Sequence, residues 1–193
     1  ISRRTLIVRD AQVDGGAWAV RGNAELRSAD PLMLSGDADW ELRAGERRYA
    51  GAGRADGDLD RLNVQATTRE PRGLAFDGAL RLVDEFAFDG RVTLDAFDPA
   101  SLGAGTFFGT VTGALDAKGG VDAFGATGRL QSSALPIGPL AGAFEGGYAA
   151  QVFDVRRLEV ADAKGELRAT ASGAVELAAG PRIRFAGDWT GLR

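Results

Sequence analysis

The sequence predicts an all-β protein of long, antiparallel, amphipathic strands that curl about an apolar face. Three observations carry this reading. Apolar residues recur at i, i+2, i+4 over runs of about nine residues, the period of a strand with one dry and one wet face. Glycine, 28 of 193 residues, falls in phase with the apolar positions. The connections between runs are short, as hairpins require.

The first runs set the pattern. Trp18, Val20, Gly22, Ala24 and Leu26 share one parity. Leu34, Gly36, Ala38, Trp40 and Leu42 share the next, against Ser35, Asp37, Asp39 and Glu41. The stretch from Gly51 to Asp58 is so poor in large side chains that it reads as a weak strand or loop. Leu74, Phe76, Gly78, Leu80 and Leu82 repeat the layout, and Val83-Asp84-Glu85 fits a hairpin turn. Phe86, Phe88, Gly90, Val92 and Leu94 follow.

Asp98-Pro99-Ala-Ser-Leu102 breaks the alternation and predicts a helical turn, Asp98 as its cap and Pro99 at its first position. Phe107, Gly109, Val111, Gly113 and Leu115 then resume the pattern. It continues less regularly around Gly128, Gly142 and Gly146. Leu167 to Leu177 around Gly173, and Ile183, Phe185, Gly187 and Trp189, complete it. Helix is excluded by the period and by glycine at the centre of each run, which costs a helix ~1 kcal/mol each time. A strand glycine marks a bend, a bulge or a close backbone approach, and in phase with the apolar parity it marks the crease of a curled sheet. Bulges in a closed barrel or sandwich are the other way to use such glycines.

Composition bounds the chemistry. The net charge is −4 with no basic block, which disfavours nucleic acid and anionic membrane surfaces as partners. Cysteine and histidine are absent, so thiolate metal sites and the commonest general base are excluded. Asp56, Asp58 and Asp60 form a D-x-D-x-D run, but Arg61 and Thr67 stand where a calcium loop needs Gly and Glu, so a turn is expected. Gly103-Ala-Gly105 lacks the third glycine and the helix of a dinucleotide loop. The carboxylates lie on the wet parity, where solvation explains them better than paired acid–base catalysis. No enzyme activity and no cofactor is expected. No domain boundary divides residues 1–193, and the longest weakly polar stretch, Ala134 to Phe144, is too short to span a bilayer. The chain begins and ends in mid-pattern and reads as a fragment of a longer repetitive protein.

Leu94-Asp-Ala-Phe-Asp-Pro-Ala-Ser-Leu102 and Gly109-Thr-Val-Thr-Gly-Ala-Leu-Asp-Ala-Lys-Gly119 resemble internal repeats of the TamB family, within the broader AsmA-like group. Gly138 to Tyr148, Val155-Arg-Arg-Leu-Glu-Val160 and Gly165 to Leu177 extend the likeness, which runs from about Leu32 onward. The resemblance implies a U-shaped β-taco, a repeating β-groove with an apolar interior. It further implies a segment of a lipid-transfer conduit across the periplasm of a diderm bacterium, the whole protein being anchored in the inner membrane. Phospholipid acyl chains and an outer-membrane barrel assembly partner are the partners it implies, in support of outer-membrane biogenesis.

On this reading the lipid-groove lining is Trp40, Leu42, Leu80, Leu82, Phe86, Phe88, Val92, Leu94, Val111, Leu115, Val175, Leu177 and Phe185. The groove crease is Gly36, Gly78, Gly90, Gly113, Gly173 and Gly187. The alternative is a structural or adhesive β-domain with a sealed apolar core. On the groove reading the sheet edges at the two cut ends are expected to pair with neighbouring repeats in the full protein, and the excised fragment to self-associate edge to edge.

Overall fold

The computed structural model describes residues 4–45, 47–102, 109–133, 138–176 and 182–191. Leu177 and the Gly103–Phe108 stretch lie outside them. The chain divides into two units, residues 1–90 and 91–193. The first contains β1 (Thr5–Asp14), β2 (Trp18–Arg27), β3 (Met33–Ala44), β4 (Arg47–Asp58), β5 (Leu62–Glu70), β6 (Leu74–Arg81) and the start of β7 (Ala87–Phe97). The second contains the rest of β7, then β8 (Val111–Gly119), β9 (Ala123–Ser132), β10 (Leu140–Ala149), β11 (Val152–Asp162), β12 (Arg168–Glu176) and β13 (Arg182–Thr190).

Each unit is an antiparallel meander in which sequence neighbours are sheet neighbours, and neither closes on itself. The strands are 8 to 12 residues long, longer than the usual five or six. Gly51–Asp58, expected as a weak strand or loop, forms most of the full strand β4 (Arg47–Asp58). Its glycines and alanines carry little signal of their own. The flanking strands supply both ladders and lay Trp40 and Leu42 opposite Gly51 and Tyr49.

Local chemistry sets the turns. Gly16 and Gly45 take positive φ (79° and 63°), and the Asp14 carboxylate accepts the Gly16 N–H at 2.8 Å. The Asp58 carboxylate accepts the N–H groups of Asp60 (2.9 Å) and Arg61 (2.7 Å), so this member of the D-x-D-x-D run caps a turn. Pro99–Leu102 forms a single 3₁₀ turn, and Asp98 Oδ1 accepts the Ala100 N–H at 3.0 Å, as the Asp-Pro signal predicts. Bulges interrupt four of the described ladders. In β1 the bulge lies between Val8 and Ala11; Asp10 adopts φ 50° and donates its freed N–H to Asn23 Oδ1 at 3.1 Å.

The β10–β11 hairpin is less well matched to its turn. Ala149 pairs with Val152, leaving Ala150 and Gln151 as a two-residue loop at φ 50° and 63°. Such loops favour Asn-Gly, because residues with an ordinary Cβ strain in the left-handed region. The double substitution Ala150→Asn/Gln151→Gly is therefore expected to stabilise the protein by about 1–2 kcal/mol. Urea denaturation measures this, and an unchanged midpoint would show that the loop carries no strain.

Candidate functional site

Directly opposed residues of an antiparallel pair share a face. In the first unit the register collects one apolar face across six strands. Leu26, Leu34, Leu62 and Leu80 occupy linked positions of one row, with Gly57 between them. The next row is Ala24, Gly36, Ala55, Val64 and Gly78, and the one after it is Gly22, Ala38, Gly53, Ala66 and Phe76. Val20, Trp40, Gly51 and Thr68 follow, then Trp18, Leu42 and Tyr49. Across β2, β3 and β4 these two rows form a lane of small side chains between rows of larger ones, with Val64 and Phe76 beyond it. Leu6, Val8, Ala11 and Val13 of β1 extend the face, the bulge keeping Val8 and Ala11 on the same side.

The glycines of these rows admit close backbone approach. A Cβ on Gly36 would lie 2.5 Å from the Asn23 carbonyl oxygen, and one on Gly78 would lie 2.6 Å from the Gly90 Cα. Large side chains fill the space over other glycines: the Trp40 indole covers Gly51, and Phe76 lies against Gly78 and Gly90. Leu82 and Phe86, in the connection between β6 and β7, are exposed, and Phe88 is half-buried with its ring centroid 6.5 Å from that of Phe86.

The second unit builds a face of the same kind with a different texture. One row reads Leu115, Gly128, Phe144, Leu158, Ala171, Gly187; its neighbour reads Ala117, Ala126, Gly146, Val155, Gly173, Phe185. Gly113 belongs to a third row, with Leu130, Gly142, Val160, Ala169 and Trp189, so the glycines are spread over three rows. Large and small side chains are mixed within each row, and large ones sit over glycines: Leu115 covers Gly128, and the Phe185 ring covers Gly173. Phe124, Tyr148 and Phe153 cluster at one end of this face, with ring centroids 4.9 to 6.2 Å apart. Val111 starts β8 on the same face, and Val175 shares a row with Phe153. Val92 and Leu94 are half-buried on β7 between exposed Arg91, Thr93 and Asp95.

The sequence pattern missed the contribution of β1 and β11. Its signal was available: Val8-Arg-Asp-Ala11 and Val155-Arg-Arg-Leu158 space apolar residues by three across two charged ones. That spacing keeps one face only if a bulge absorbs the extra residue, as the ladders show.

These faces are barely covered. Among the described residues only Leu62, Phe97 and Val111 are large apolar side chains less than a tenth exposed (5%, 3% and 9%). Leu42 is 42% and Trp189 66% exposed. The accessible surface is 13223 Å², against about 8,700 Å² for an ordinary folded monomer of this mass.

The opposite face is a polar ladder. Asn23 Nδ2 donates to Asp37 (3.3 Å), Arg54 Nε to Gln65 (2.8 Å), and Gln65 Nε2 to Asp77 (2.8 Å). Glu41 accepts from both Arg43 (3.0 Å) and Arg48 (2.9 Å), Asp39 from Arg69. In the second unit Arg91 grips Asp116 through two bonds of 2.7 and 3.0 Å. Hydrogen bonds from Arg48, then Arg43, hold Glu41 below the usual carboxylate range, and that from Arg91 does the same for Asp116. A wide depression of about 700 Å³ on this side is bordered by Asn23, Glu25, Ser35, Asp37, Arg54 and Asp56, acids and bases mixed.

Two outcomes follow for stability. Gly36→Val, which sets a side chain against the Asn23 carbonyl, is expected to cost about 1–3 kcal/mol in chemical denaturation, whereas Ala38→Val in the neighbouring row costs less. Because the folded pKa values of Glu41 and Asp116 are depressed, their contribution is present above the unfolded carboxylate range and is lost as pH falls through the folded values. Glu41→Gln should flatten the acid limb of the stability–pH curve, and added salt should shrink the difference, both groups being exposed.

Comparison with protein-family models, curated proteins and solved structures returns no match.

Proposed function

We propose that each unit is a section of a U-shaped hydrophobic groove that carries lipid acyl chains. The observation that supports this most directly is the segregation of the two faces by register. Apolar and glycine positions from neighbouring strands meet on one face, charged ladders occupy the other, and the apolar one is left largely open to water. A soluble protein rarely keeps so much contiguous apolar surface without an occupant. An acyl chain on it leaves water at ~0.8 kcal/mol per CH₂. Repeated rows of similar side chains offer no single deep site, so a chain can slide.

The close backbone approaches at Gly36 and Gly78 support curling toward the apolar side. Removing Cβ atoms there relieves crowding on the inside of a bend. The lining then includes Trp40, Leu42 and Leu80 in the first unit and Leu115, Val175 and Phe185 in the second. The resemblance to TamB repeats extends the proposal to phospholipid transfer through the periplasm, in partnership with an outer-membrane assembly barrel.

Photo-crosslinking tests the groove. A benzophenone side chain at Leu42 or Leu82 is expected to form lipid adducts in lipid-containing cells, while one at Asn63 or Thr67 on the polar face is not. A stably folded protein with no adduct at either pair would replace the conduit with a structural β-domain.

A further inference from the structure

We propose that the groove of the first unit is directional: it takes an anionic phospholipid whose headgroup lies at the end marked by Trp18, Tyr49 and Arg47. This rests on the acyl-chain reading above, and adds which lipid is carried and which way round it lies. The two ends of the apolar face differ in chemistry. At the end formed by the turns after β2, β4 and β6, the face closes on Leu26, Leu34, Leu62 and Leu80. The turns there add exposed Leu32, Leu59 and Leu82. At the end formed by the turns after β1, β3 and β5, the face closes on Trp18, Leu42 and Tyr49. The Trp18 indole lies against Gly15 and is 45% exposed. Trp and Tyr join an apolar ring to a polar N–H or O–H, so they settle where hydrocarbon gives way to headgroups. One row further out on β4, the residue of this face is Arg47, opposed to Ala44 and exposed.

The turns carry opposite charge balances. At the aromatic end, residues 14–17, 43–48 and 69–73 hold Arg43, Arg47, Arg48, Arg69 and Arg72 against Asp14, Glu46 and Glu70. At the leucine end, residues 27–33, 57–62 and 81–86 hold Asp30, Asp58, Asp60, Asp84 and Glu85 against Arg27, Arg61 and Arg81. Arg43 and Arg48 grip Glu41 on the polar face, and Arg69 grips Asp39. Arg47 is therefore the guanidinium that β4 sets on the groove side. Its planar fork matches two oxygens of a phosphodiester. The net charge of −4 does not oppose this. Screening limits a headgroup to the charges within about 10 Å of it.

The lengths agree with this placement. The hydrocarbon of one leaflet is about 15 Å deep, half of the bilayer core. From Tyr49 to Gly53 the strand advances ~13 Å. With the phosphate at Arg47 and the glycerol esters level with Trp18 and Tyr49, the acyl chains reach the lane of Gly36, Ala38, Gly53 and Ala55. There the side chains are shortest and leave the most room. A reversed lipid would set its phosphate over leucines and beside Asp58 and Asp60.

Vesicles of equal parts phosphatidylglycerol and phosphatidylcholine test the proposal. The whole chain, incubated with them, re-isolated and analysed by mass spectrometry, should carry phosphatidylglycerol in excess. Arg47→Glu should lower that excess about tenfold while the strand signal in circular dichroism is kept. Arg47→Lys should keep most of it. Arg61→Glu, the same charge change at the leucine end, should leave it unaltered. A phosphatidylglycerol analogue with a photoreactive headgroup should label residues 47–49 rather than 57–62. Lipid carried without headgroup preference, a preference indifferent to Arg47→Glu, or labelling at 57–62 overturns the proposal and leaves the groove in place. A folded chain that carries neither lipid overturns the groove itself, and this proposal with it.

Discussion

Everything in this protein depends on strand register. Within each unit a single sheet has no second layer to sort its side chains, so the pairing of neighbours decides which residues meet. A slip of one residue would exchange the faces of an entire strand. The matching of large side chains to glycines protects against such slips. Trp40 lies over Gly51, Leu115 over Gly128 and Phe185 over Gly173, and a shifted register would forfeit each of these fits.

The bulges serve the same constraint. The extra residues in β1 and β11 sit where charged pairs would otherwise carry the following apolar residues to the wrong side. Their cost is a lost ladder bond, and side chains offset part of it. Asn23 accepts from Asp10, and Arg156 donates to the Gly146 carbonyl at 3.2 Å; in β7, Thr112 likewise accepts the Ala96 N–H at 3.1 Å where that residue takes φ 47°. Side chains of the polar face thus help to hold the backbone that displays the apolar one.

The division of labour between faces also explains where stability comes from. Exposed ion pairs contribute little individually, and the fully buried apolar side chains are few. The remaining sources are the continuous backbone ladders and the half-burial of many aliphatic groups against their cross-strand neighbours. An apolar occupant would add burial where the protein supplies least, which gives the groove reading its physical economy.

Much of this was legible in the residues alone. The period of two, the in-phase glycines and the Asp98-Pro99 signal dictated long strands, their polarity and the capped turn, because each is a local property of the chain. The lining candidates Trp40, Leu42, Leu80, Leu115 and Val175 could be grouped by parity within their own strands. Parity cannot say which position of one strand meets which position of the next, since that depends on turn lengths and bulges. The small-residue lane of the first unit, the three-row scatter of Gly113, Gly173 and Gly187, and the strand character of Gly51–Asp58 were therefore decided only by tertiary pairing. Alternation gives each strand its two faces; hydrogen bonding to neighbours decides what those faces assemble.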